Sequence, residues 1–375
     1  MFFSIAFTIG ILEIALRVIL QTQPGIFDKY YQSNEFLSDN KLWKVWHYPS
    51  NFTIQKGDCF YGEYVTNDVG IKGDTIHPSK PKIALLGDSY VEGYGESNKF
   101  IVSHYLDSLL GYQYQALNFG TSGGIGTVHE LSIYQNFARF YNPEVVILFY
   151  LNYNDLNDNV KAISEGFLDE NHEFIYPLSK DLSETSAYIS SFETPELNTQ
   201  SEGGLVSFKM AARGFRSLGD FIQMSFNMRI FDFRDNIAEV YLEEESDNIT
   251  KGYEIVKTTL QRLKEEVEKD SATLVVVQIA DPFQVDDGWI STSEKRIKKK
   301  LDPTYPNMRI KNICEEVEVN YLDLYPLVKE YILKNEMVYP FLYHSCDRHH
   351  SQLGNLFMAR FIQEYLEDKK LIKTN

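Results

Sequence analysis

The chain is expected to be an α/β protein: a three-layer, doubly wound parallel sheet with a helical insertion and an N-terminal membrane helix. Three observations point there. Continuous apolar runs rich in Val, Ile and Leu recur within 81–89, 144–155 and 272–280. They are short for helices and lack the polar alternation of a half-solvated sheet. Stretches with helical apolar spacing separate them, and alternating strands and helices build a parallel sheet covered on both faces.

The first element is FFSIAFTIGILEIALRVIL, residues 2–20, whose only charges are Glu13 and Arg17. A helix of that length reaches roughly 28 Å, close to the hydrocarbon thickness of a bilayer. The two charges stand four residues apart, on one helix face, where they can pair. No basic stretch precedes the run and no clear small-residue cleavage site follows it. Residues 1–21 are therefore expected to be a transmembrane anchor or an uncleaved signal. An interfacial or core amphipathic helix is the other reading. Residues 22–80 are polar, aromatic and broken by Pro and Gly, and read as an irregular lead-in.

The main domain is expected over 81–370. PKIALLGDS (81–89) reads as a buried strand and KFIVSHYLDSLL (99–110) as a helix. YQALNFG (114–120) is a short strand, and TVHELSIYQNFARFY (127–141) an amphipathic helix stopped by Pro143. EVVILFYLNYND (144–155) is the strongest strand. Residues 252–269 form a charged amphipathic helix before the strand ATLVVVQIA (272–280), which Asp281-Pro282 closes. NICEEVEVNYLDLYPLV (312–328) supplies a helix end and a strand, and GNLFMARFIQEYLED (354–368) a last helix. Residues 160–250 interrupt this rhythm. Their Phe- and Met-rich part, 208–233, reads as an inserted helical pair completing the core, or as a lid over an acyl or glycan pocket.

Composition narrows the function. The chain is 43% hydrophobic and 14% aromatic, enough for a large core, and its net charge is −17. That charge argues against a nucleic acid partner, because phosphate binding needs a basic stripe. The one dense basic run, KRIKKK (295–300), reads as a solvated helix face. Cys59, Cys314 and Cys346 include no C-x-x-C pair and no zinc spacing. No metal and no cofactor are expected. One disulfide could form among the three, and the spacing does not select it.

Ligands of parallel sheets bind beyond the carboxyl ends of the strands. Gly87-Asp88-Ser89 ends the first strand, NFGTSGGIGT (118–127) ends the second, and Asn152-Tyr153-Asn154-Asp155 ends the third. DRHHSQLG (347–354) precedes the last helix. Gly-Asp-Ser alone arises by chance in about one such chain in ten, so the placement matters more than the tripeptide. In this order the four pieces resemble the SGNH, or GDSL-type, hydrolase superfamily over about 75–368, excepting the insertion. The membrane-anchored bacterial members are similar in three further ways. They carry an apolar N-terminal helix with Glu and Arg, matched by Glu13 and Arg17. They carry N-x-x-G-x-[RK]-G, matched by NDVGIKG (67–73). Their third-strand stretch is matched by YNPEVVILFYLNYNDLNDN (141–159).

The resemblance implies the flavodoxin-like SGNH fold and a serine esterase. A Ser hydroxyl is a poor nucleophile until a base lies within hydrogen-bond reach and a third group orients that base. Ser89 would be the nucleophile, and Asp347 would orient a His base. The oxyanion needs preorganised donors, implied to be the Ser89 amide, the Gly123 amide and the Asn154 side chain. Ser89 as a mere helix cap, Gly124 for Gly123 and Asn152 for Asn154 are the competing assignments. Asp88 is expected to bond loop amides. A D-x-x-H register selects His350, whereas D-x-H-x-[NST]-x-x-G selects His349, with Ser351 and Gly354 at the matching offsets; His349 is preferred. His129, His344 and Cys346 read as packing or surface residues. The implied substrate is a small-molecule or glycan acyl ester, or a lipid ester, near a membrane surface. The anchored chain would hold its catalytic domain outside the cytoplasm. Acetyl transfer to an extracellular polysaccharide would use the same triad. A catalytically silent, tethered binding module is the non-enzymatic reading.

Overall fold

A computed structural model of the chain describes residues 36–39, 42–57, 59–191, 235–335 and 341–373. The anchor expected at 1–21 and the Phe- and Met-rich stretch 208–233 lie outside them. Among the described residues no helix is long and apolar enough to cross a membrane.

The described part of the lead-in, from residue 36, is not irregular. It forms two antiparallel hairpins, β1 (Phe36–Asp39) with β2 (Lys44–His47), and β3 (Phe52–Lys56) with β4 (Tyr61–Val65). In the second hairpin the usual pattern is reversed. Thr53 and Gln55 are buried, while Phe52 and Ile54 are exposed. Apolar alternation therefore points the wrong way, and the strand is disguised in the sequence.

The main sheet contains β5 (Lys82–Leu86), β6 (Gln115–Asn118), β7 (Pro143–Tyr150), β8 (Thr273–Gln278) and β9 (Asn320–Asp323). Its order is β6-β5-β7-β8-β9, with every pairing parallel. The chain leaves β5 for β6 on one side and returns to β7 on the other. The carboxyl ends of β5 and β7 therefore flank the switch point, where a ligand crevice opens in such sheets.

Twelve α-helices occur among the described residues. The first six are α1 (Ser89–Glu92), α2 (Val102–Leu109), α3 (Thr127–Asn136), α4 (Asn152–Ser164), α5 (Leu182–Ser190) and α6 (Asp235–Glu239). The rest are α7 (Asp247–Lys269), α8 (Pro282–Val285), α9 (Asp287–Ile297), α10 (Tyr305–Glu316), α11 (Leu324–Lys334) and α12 (Gln352–Asp368). Side chains alternate across a strand, so the sheet feeds two cores. Ala84, Leu86, Val146, Leu148 and Val276 pack with α3, α7 and the lead-in residues Trp43 and Trp46. Ile83, Leu85, Val145, Ile147 and Val275 pack with Leu106 of α2 and with Met358, Ile362 and Leu366 of α12. Helices on both faces make the three layers that the sequence predicts.

Two boundaries differ from the sequence reading. The strand expected over 144–155 ends at Tyr150, because the Leu151 N–H donates to Asp155 Oδ2 at 2.8 Å and α4 begins at Asn152. Asn154 thus sits in a first helical turn. The helix expected over 127–141 stops at Asn136, a short 3-10 turn follows, and Pro143 opens β7. Proline is tolerated as a first strand residue, since its missing N–H interrupts no inner ladder bond.

Candidate active site

The end of β5 is built to turn sharply. Asp88 caps α1, its Oδ1 accepting from the Tyr90 N–H at 2.9 Å. The cap is therefore Asp88, and Ser89 is the first helical residue. A Cβ on Gly87 would meet Val91 Cγ2 at 2.3 Å, so only glycine lets α1 fold back onto the strand end.

The loop before α12 brings its residues to that turn. His349 Nε2 lies 2.7 Å from Ser89 Oγ. On the other side of the ring, His349 Nδ1 lies 3.3 Å from Asp347 Oδ2. That spacing is within ion-pair reach, and neither of those two atoms has a hydrogen-bond partner among the described residues. The other carboxylate oxygen, Asp347 Oδ1, accepts from the His349 N–H at 3.1 Å. The imidazole is held between the rings of Tyr90 and Tyr94, with centroids at 5.0 and 4.8 Å. Tyr90 Oη also donates to the Arg348 carbonyl at 2.9 Å. A hydroxyl facing one imidazole nitrogen, with a carboxylate facing the other, can lose its proton to the ring during attack.

His350 is placed differently. It is 6% exposed and packs against Tyr90 and Tyr343, at centroid distances of 4.9 and 5.2 Å. Burial pushes its pKa down to about 3. The glycine that follows the two histidines has a steric cause. A Cβ on Gly354 would stand 2.1 Å from the Leu342 carbonyl oxygen and 3.1 Å from the His350 ring. Ser351 caps α12 three residues before it.

Asn154 is half-buried, and its Nδ2 donates to Asp88 Oδ2 at 2.9 Å. One of its two amide hydrogens is thereby used and the other remains. Burial raises the Asp88 pKa, while the bonds from Asn154 and the Tyr90 amide act in the opposite sense. Asn152 is fully buried and accepts from Gln278 through its Oδ1. Gly123 lies exposed on the loop after β6 with φ +126°, a conformation that favours glycine. Thr121 ties this loop to the nucleophile turn, its N–H donating to the Gly87 carbonyl at 3.3 Å. No hydrogen bond joins Gly123 to Ser89, Asn154 or His349 among the described residues. Gly124 is engaged elsewhere, its carbonyl accepting from Lys44 Nζ at 2.6 Å. The structure thus brings Ser89, His349 and Asp347 together, adds Asn154 through Asp88, and leaves Gly123 on the neighbouring loop.

Three further parts of the site escape sequence reasoning. Behind α1, the buried Glu92 accepts from Gln55 Nε2 at 2.9 Å and from Ser122 Oγ. Burial opposes its charge, yet His47, Lys72 and these bonds hold its carboxyl below the usual range. Lys72 Nζ donates to the Gly93 carbonyl at 2.8 Å. The sequence signal was NDVGIKG: Asn67 Oδ1 accepts from the Val69 and Ile71 amides at 3.1 and 2.9 Å, and Gly70 has φ +85° against the Trp46 indole. That motif shapes a turn that buries Lys72 behind the nucleophile.

The second part is a disulfide between Cys59 and Cys346, with Cα atoms 5.8 Å apart. It joins the β3–β4 hairpin to the residue before Asp347. The third is Phe60, whose ring touches Tyr94 and His344 at centroid distances of 5.5 and 5.2 Å. Among the described residues no group of three or more His, Cys, Asp or Glu is placed to hold a metal ion.

No protein-family profile and no curated protein matches the chain. Solved structures resemble it at low identity. The acetyl xylan esterase AlAXEase is 14% identical over 76% of this chain and 99% of its own, with a TM-score of 0.41. A catalytic mutant of Axe2, an acetylxylan esterase from Geobacillus stearothermophilus, is 13% identical over 79% and 97%, with a TM-score of 0.39. TesA is 10% identical over 78% and 99%, with a TM-score of 0.39. These likenesses are too distant to transfer chemistry, and the site stands on its own geometry.

Proposed function

We propose that the chain is a serine esterase of the SGNH type that hydrolyses O-acyl esters. One observation carries this reading: His349 Nε2 lies 2.7 Å from Ser89 Oγ, while its Nδ1 faces Asp347 Oδ2 at 3.3 Å. As Ser89 Oγ attacks the ester carbonyl, His349 takes its proton, and Asp347 stabilises the resulting imidazolium. The tetrahedral oxyanion is met by the Ser89 N–H, the Gly123 N–H and the remaining Asn154 amide hydrogen. Collapse expels the alcohol, which receives the proton from His349. Water then repeats the sequence on the acyl-enzyme and releases the acid.

The substrate class is an acyl ester of a carbohydrate or lipid at a membrane surface. The apolar N-terminal run supports a membrane anchor. The Cys59–Cys346 disulfide supports an oxidising, extracytoplasmic compartment for the catalytic domain.

The deciding experiment is Ser89→Ala. It should lower kcat on p-nitrophenyl acetate by roughly a million-fold, as for other serine triads. It should also abolish labelling by a fluorophosphonate. Equal labelling of wild type and variant would overturn the assignment.

A further inference from the structure

Arg348 stands between Asp347 and His349, with its backbone in the left-handed region at φ +73°. Its guanidinium lies 4.3 Å above the Phe283 ring. Phe283 follows the end of β8 and contacts Tyr153, the neighbour of Asn154, at a centroid distance of 5.4 Å. The cation is thus laid along the carboxyl ends of β7 and β8, on the Asn154 side of the crevice.

Its Nη1 is buried and has no hydrogen-bond partner. No ion pair of Arg348 occurs among the described residues. The carboxyl group that feels its charge, Asp281, is fully buried and is engaged by the Phe283 N–H at 2.7 Å. Burial pushes Asp281 up to about 7, so it is a weak counter-charge near neutral pH. A buried N–H donor left unpaired costs about 1–3 kcal/mol. Such a donor calls for a partner, whether an ordered water, an ion or a ligand group.

We propose that Arg348 is a specificity-determining residue that binds a carboxylate carried by the ester substrate. A guanidinium fork matches a carboxylate in two parallel bonds. A single guanidinium carries one positive charge, which matches a carboxylate better than a doubly charged phosphate. The esters selected would then be those of acidic sugars, and the proposal rests on Ser89 being the nucleophile.

The test uses a matched pair: the O-acetylated methyl glycoside of glucuronic acid and the same compound with its carboxylate methyl-esterified. The wild type should favour the acid by about ten- to a hundred-fold in kcat/KM, mostly through KM, as expected for a charge-assisted bond. Arg348→Gln should reduce that preference to about two-fold or less, and Arg348→Lys should restore part of it. A wild type that treats both esters alike, or an Arg348→Gln variant that keeps the preference, would overturn the proposal. A binding measurement separates this outcome from failure of the esterase reading. Saturation-transfer NMR of both glycosides on Ser89→Ala, with and without Arg348→Gln, needs no turnover. Arg348-dependent binding of the acid would sustain the site even if no ester were cleaved, and equal binding of both compounds would remove it.

Discussion

Asn154 donates to Asp88 at 2.9 Å, so the residue before the nucleophile fixes the orientation of the side chain proposed to meet the oxyanion. The cap of α1 and the first turn of α4 are thereby one unit. Asn154→Ala should lower kcat by about a hundred- to a thousand-fold with KM little changed. Asp88→Asn should lose activity in the wild-type background and little more in the Asn154→Ala background. Steady-state kinetics on the four proteins measures this coupling, and simple additivity would show that Asp88 acts by another route.

The two adjacent histidines should separate cleanly. His349→Ala should be almost as inactive as Ser89→Ala, whereas His350→Leu should keep at least about a tenth of the wild-type kcat, since its ring packs and does not reach Ser89. Circular dichroism would confirm that both variants fold. The reverse ranking would assign the base to His350.

The Cys59–Cys346 bond should matter for rate as well as stability. Cys346 adjoins Asp347, and misplacing a catalytic group by about 1 Å can cost on the order of a hundred-fold. Reduction under native conditions, or Cys346→Ser, should lower kcat by roughly ten-fold or more while the far-UV spectrum is retained. Fluorophosphonate labelling should slow in parallel. Undiminished labelling by the folded, reduced protein would limit the bond to a stabilising role.

His350 should also leave a mark on stability. Its folded pKa, pushed down to about 3 by burial, lies below the ~6.5 of an unfolded histidine. Above pH 6.5 the ring is neutral in both states. As the pH falls below that, the unfolded chain takes up a proton that the folded protein refuses, and stability is lost. Between pH 7 and 5 the loss is about 2 kcal/mol. Asp107 and Asp281, both pushed up to about 7 by burial, act in the opposite sense and are common to both proteins. Urea titrations should therefore show a smaller pH-dependent loss for His350→Leu than for wild type. Identical profiles would contradict the neutral, buried ring.

The full-length chain should remain with membranes after carbonate washing, and a chain starting near Asp28 should be soluble and active. Recovery of the full-length protein in the soluble fraction would count against the anchor.

The legibility of this protein follows from where its chemistry sits. Strands β5, β7 and β8 are buried on both faces, so their apolar runs announce them. Ser89, Asn154 and Asp347 follow strand ends or precede a helix, where local spacing is informative. His349 is favoured over His350 by its offsets to Ser351 and Gly354, and Gly354 packs tightly against the Leu342 carbonyl. The β3–β4 hairpin was not legible, because its inward face serves a buried ionic network and is polar. Gln55 reaches Glu92 from that face, while Phe52, Tyr61 and Val65 point outward. Arg348 and the Cys59–Cys346 pair were hidden for a different reason: their partners are distant in sequence, and no local pattern reports such a meeting.

The disulfide also makes the stretch from Cys59 to Cys346 a covalent ring that contains both Ser89 and the insertion. Suppose a protease cuts the backbone between Ser191 and Asp235. One fragment would carry Ser89 and Asn154, and the other would carry Asp347 and His349. Under oxidising conditions the two remain one molecule, with nucleophile and base tethered about the same sheet. The catalytic centre can therefore outlast a break in the chain that supports it, and a reducing agent would turn the nicked protein into two separable halves.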